Sequence, residues 1–115
     1  MRPFLLLALC TGVLAQPGGL TDALQSSRQR IDSIDGQIVK LLNERARVVL
    51  EVGTIKKRYH APASAPGRED QVLRRVSSEA EAPLTPSAVE AIYKSILHEM
   101  TAMEAAAMDK DSKAR

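Results

Sequence analysis

The sequence predicts an all-α chain of three helices, the first of them very long. Three observations lead there. From Leu24 to Tyr59 the apolar residues recur at helical spacing: Leu24, Ile31, Ile34, Ile38, Leu41, Val48, Val52 and Ile55. A second stripe follows the same period through Val89, Ile92, Tyr93, Ile96, Leu97, Met100, Met103 and Ala107. Aromatic residues are confined to Phe4, Tyr59 and Tyr93, with no Trp, so the core is aliphatic, as in a helical bundle. No strand pattern and no internal repeat interrupts this reading. The 115 residues suffice for one small domain.

The elements follow in order. Residues 1–15 read as a signal peptide: Arg2 gives a positive start, Phe4 to Ala15 is uncharged and apolar, and Val13-Leu14-Ala15 fits the small-residue cleavage rule. An alternative is a mis-assigned start. The run is too short for a stable membrane anchor. Export to a periplasm or to the outside is therefore expected, with Gln16 as the new amino terminus. Cys10 leaves with this segment, so the mature domain has no disulfide and stands on packing. Residues 16–23 are a Gly/Pro linker and the start of helix 1, which Thr21 or Asp22 caps. Helix 1 ends near Arg58. At over thirty residues it spans about 50 Å, so its stripe outreaches what its own short chain can cover. A partner is needed, and a second copy is the simplest one. Pro62, Ser64 and Pro66 mark a loop. Helix 2 starts at Pro66, presents Val72, Leu73 and Val76, and is ended by Glu81-Ala82-Pro83. Thr85-Pro86 opens helix 3 as an N-cap followed by a first-turn proline. The helical domain covers 24–108, and 109–115 is expected to be a frayed polar tail.

Charge falls where the stripe should be greasy. Arg45 occupies the slot between Leu41 and Val48. Lys56 lies eleven residues on, about three turns along nearly the same face. Arg28 sits one turn before Ile31. Buried cations are expensive unless an anion meets them, so this face is suited to a carboxylate or a phosphate. Each residue taken alone also fits a side chain snorkelling from the stripe's edge. Gly53 lies between Arg45 and Lys56, where glycine costs about 1 kcal/mol in a helix interior. Its bare α-carbon admits a ligand or another helix. Glu104 falls on the third helix's stripe, one turn after Met100; the alternative is a solvent-facing position beyond a frayed end. Lys and Arg outnumber Asp and Glu only by 16 to 14, and no basic stripe suggests nucleic acid. His60 and His98 have no second ligand nearby in sequence, so neither metal nor cofactor is expected.

Four segments together carry a resemblance. They are Arg28-Gln29-Arg30-Ile31-Asp32-Ser33-Ile34-Asp35, Leu41-Leu42-Asn43-Glu44-Arg45, Val52-Gly53-Thr54-Ile55-Lys56 and Pro66-Gly67-Arg68-Glu69. Their order and spacing resemble the all-helical chorismate mutases over about Leu24 to Ala106. The resemblance implies an intertwined homodimer with two shared active sites. It implies that Arg45 grips one carboxylate of chorismate, and that Arg28 reaches into the partner's site to grip the other. A guanidinium suits this because its planar fork matches a carboxylate bidentately. Lys56 is implied as donor to the ether oxygen, Arg68 and Glu69 as the pair opening helix 2, with Glu69 accepting from the ring hydroxyl. Val52, Val72 and Leu97 are implied as apolar walls.

The implied reaction is the rearrangement of chorismate to prephenate in one pericyclic step. It asks for no nucleophile or base, only a held reactive conformer and charge stabilisation at the ether oxygen. Three positions depart from the family pattern. Ala65 stands where Asp is frequent, which leaves Ser64 as the substitute contact or none at all. Met100 replaces a frequent Ser. Glu104 replaces a usual Gln, and a carboxyl group donates a hydrogen bond only when protonated. Two other functions remain compatible with the sequence: pyruvate elimination from isochorismate on the same scaffold, and a non-catalytic helical dimerisation module.

Overall fold

The computed structural model describes residues 18–114. The expected signal peptide and the first linker residues lie outside them. Three helices are present: α1 Gly19–Arg58, α2 Pro66–Ser78 and α3 Pro86–Lys113. No strand occurs among the described residues. The chain falls into two units, one ending at Ile38 and one beginning at Val39.

Helix α1 begins earlier than the capping residues suggested. Gly18, at φ +101°, turns the chain in, and its carbonyl accepts from Asp22 N at 2.7 Å. Asp22 therefore lies in the first turn, where its charge favours the helix dipole. In the first unit Ile31, Ile34 and Ile38 are all exposed.

The second unit holds the core. Val72 and Val76 of α2 pack with Val89 and Leu97 of α3, bordered by Leu73, Ala80 and Tyr93. Ile92, placed on the same stripe by its spacing, is exposed. Leu41 (62 % exposed), Val48 (55 %), Val52 and Ile55 of α1 also remain open in the single chain.

Helix α2 opens on Pro66 as the sequence predicts, but Ala65 at its N-cap makes no side-chain bond. It closes at Ser78, before Glu81-Ala82-Pro83. Ser78 Oγ donates to the Arg75 carbonyl at 2.6 Å, and Glu79 N turns back to Val76 O at 3.1 Å, so the last turn tightens and stops. Thr85 caps α3 as expected, its Oγ1 accepting from Ala88 N at 3.1 Å. The far end corrects the sequence reading. Residues 109–113 continue the helix instead of fraying. Ala105, Ala106 and Ala107 favour the helical state. Ser112 Oγ donates to Met108 O at 3.0 Å, and Asp111 meets Lys57 of α1 at 3.4 Å. No helix among the described residues is long and apolar enough to cross a membrane.

Candidate active site

A cleft of about 320 Å³ lies within the unit that begins at Val39. Helix α1 brings Arg45, Val52 and Lys56 to it, spaced at seven and four residues and so close to one face. Helix α2 brings Arg68, Glu69 and Val72 in its first two turns, and α3 brings Leu97 and Glu104. Eight of the nine residues singled out in the sequence thus share one cleft. Arg28 belongs to the other unit and is exposed on α1.

The centre of the site is an ion pair. Lys56 Nζ lies 2.9 Å from Glu104 Oε1. The approach is outside hydrogen-bond alignment, so Oε1 is buried beside a charge yet has no aligned donor. Lys56 Nζ donates instead to the carbonyl of Ala63 at 2.6 Å. Glu104 is 4 % exposed and the Lys56 side chain 20 %. The solvent-facing alternative for Glu104 is therefore overturned. Breaking such a buried pair by removing one partner costs roughly 3–5 kcal/mol, because the other charge stays behind.

The α2 groups are set separately. Thr101 Oγ1 on α3 donates to Glu69 Oε1 at 3.3 Å. Arg68 Nη1 donates to Gln71 Oε1 at 2.7 Å, which steadies the guanidinium from its own helix. Ala65 lines the cleft, whereas Ser64 does not, so the hydroxyl contact considered for Ser64 is not placed here.

Two polar side chains of the lining escaped sequence reasoning. Arg75 lines the cleft seven residues after Arg68 and three after Val72. The 68–72–75 spacing was the available signal, hidden because an exposed helical Arg usually reads as a solvated face. Thr101 was the other, visible only through its bond to Glu69. In all, Arg45, Lys56, Arg68 and Arg75 face two carboxylates, Glu69 and Glu104, leaving an excess of two positive charges. No group of three His, Cys, Asp or Glu among the described residues has the arrangement of a metal site.

The residue pattern described as chorismate mutase type II matches residues 27–105. The chain belongs to that family. It is similar to the T-protein of Enterobacter agglomerans, 36% identical over 77 residues, covering 66% of this chain and 21% of that protein. It is also similar to the bifunctional chorismate mutase/prephenate dehydratase of Neisseria gonorrhoeae, 33% identical over 85 residues, covering 74% of this chain and 23% of that one. The chain thus spans about a fifth of the length of these curated relatives. Among solved structures it is similar to chorismate mutase (form II) from Thermus thermophilus, with a TM-score of 0.69 and 27% identity, covering 71% of this chain and 93% of that one. The all-helical fold of the family is the fold seen here.

Proposed function

We propose that this chain is a chorismate mutase, converting chorismate to prephenate. One observation carries the reading beyond family membership: a cleft with two positive charges in excess, holding a fixed ammonium beside a buried carboxyl group. Chorismate is a dicarboxylate, so its charge matches that excess. In its compact conformer the breaking C–O bond and the forming C–C bond lie within one chair-like ring, and six electrons move together. Arg45 takes one carboxylate. Lys56 donates to the ether oxygen as charge builds there, and a donor placed in advance needs no reorganisation at that moment. Val52, Val72 and Leu97 form apolar walls that hold the ring in its compact shape. Glu69, steadied by Thr101, accepts from the ring hydroxyl, and Arg68 completes the wall.

The second carboxylate is assigned to the partner's Arg28, within a homodimer of shared sites. The open apolar row on α1 supports the dimer, and the family resemblance supports the assignment of Arg28. Export is proposed too, on the Arg2 to Ala15 pattern alone.

The primary experiment supplies purified protein with chorismate and, separately, with isochorismate. Prephenate from chorismate is expected. Pyruvate from isochorismate, with chorismate untouched, would assign the sister elimination instead. Turnover of neither would leave a non-catalytic helical module.

The Lys56 role is tested in a Glu104→Gln background, so that removing the ammonium strands no buried carboxylate. Lys56→Met there is expected to lower kcat by about two to three decades with the fold kept, the usual scale for one transition-state donor. Undiminished kcat would remove Lys56 from the chemistry.

Shared sites predict complementation. An Arg28→Ala chain mixed with an Arg45→Ala chain gives heterodimers in which one site is whole. Partial recovery of activity is expected, and heterodimers that stay inactive would argue for sites built within one chain.

For Glu104, the proposed role is that of a group set against the ether oxygen beside Lys56. Glu104→Gln supplies a permanent amide donor at the same length, so kcat equal to or above that of the wild type is expected. A kcat lowered by a decade or more would exclude a donor role at this position.

A further inference from the structure

Gly53 is the buried residue of α1, and it faces Glu104. A β-carbon built there would stand 3.1 Å from Glu104 Cγ, 3.6 Å from its Oε1 and 3.7 Å from Met108 Cγ. The last two are ordinary contacts. The first is too close, so an added methyl group obliges Glu104 to retreat by a few tenths of an ångström. Glycine is a poor residue for the middle of a helix, and the conflict explains why it is tolerated here.

The direction of retreat matters. Lys56 is three residues beyond Gly53, so the two stand on neighbouring positions of one face of α1. A group at Gly53 pushes Glu104 away from that face. That movement shifts the carboxyl group relative to Lys56 Nζ, which lies 2.9 Å from Glu104 Oε1. Glu104 has little freedom to absorb the push by rotation, being almost wholly enclosed.

We propose that Gly53 is a positioning residue: its bare α-carbon lets α3 lay Glu104 against α1, and thereby fixes the carboxyl group beside the Lys56 ammonium. Its kinetic consequence rests on the role proposed above for Glu104. Its steric basis does not. Misplacing a reacting group by a fraction of an ångström lowers turnover more than it lowers affinity, because the cations that hold the substrate's carboxylates are left in place.

The experiment compares four full-length proteins: wild type, Gly53→Ala, Glu104→Ala and the double variant. Thermal midpoints and steady-state kinetics with chorismate are measured for each. With Glu104 present, Gly53→Ala is expected to lower kcat about tenfold while KM stays within twofold, and to leave the midpoint unchanged or lower. With Glu104→Ala, the same substitution meets no Cγ. It should then raise the midpoint, since alanine is the better helix former, and leave kcat where Glu104→Ala had put it. Equal midpoint changes in both backgrounds would overturn the steric coupling. So would a Gly53→Ala protein that fails to fold and is not restored by Glu104→Ala. Unequal midpoint changes with kcat unmoved by Gly53→Ala would overturn the positioning role. A wild type that does not turn over chorismate would fail the proposed function, and the midpoints would still decide whether Gly53 seats Glu104.

Discussion

Lys56 is the point on which the second unit's architecture converges. Its ammonium sits on α1, donates to the Ala63 carbonyl in the loop that leads to α2, and meets Glu104 on α3. One side chain thus ties the long helix to both following segments. The hydrophobic core does not do this, since its four buried apolar residues all lie on α2 and α3. A small aliphatic core seals two helices; polar contacts at the cleft, together with the close approach at Gly53, add the third. Structure and site therefore share their parts.

Such sharing has an energetic consequence. A cation needed for binding gains little from being fully neutralised, yet an unpaired buried charge is costly. The observed compromise is a partly exposed ammonium with a carbonyl and a carboxylate at hand, beside a cleft that is open to solvent. Leu41 and Ile55 of the same helix lie outside the cleft and are exposed in the single chain. The homodimer proposed above would give them cover, so one helix would serve a binding face and an assembly face at once.

Much of this was legible in the sequence because helices announce themselves by period and punctuation. The 3.6-residue spacing located α1 and α3, and Thr85-Pro86 marked the start of α3 to the residue. Gly53 read correctly as a place of close approach, but which side chain arrives there is a tertiary fact. The carboxyl-terminal end was misread because Asp109 to Lys113 is polar, and composition alone does not reveal that Asp111 finds Lys57. The Ala63 carbonyl was out of reach for a simpler reason: a backbone acceptor in a loop has no letter of its own. Arg75 carried a usable spacing, but a lone helical arginine looks the same whether it faces solvent or a cleft.

Glu104 gives the site its individual character. With an amide at this position the cleft would carry three positive charges in excess; with an ionised carboxyl group it carries two. In the chorismate reading proposed above, an amide here would offer the ether oxygen a donor, whereas a carboxylate offers it only acceptors. The two side chains therefore differ both in the charge the cleft presents and in the hydrogen bond it can offer. Gly53 bears on either case, because the space its missing β-carbon leaves is bordered by Glu104 Cγ.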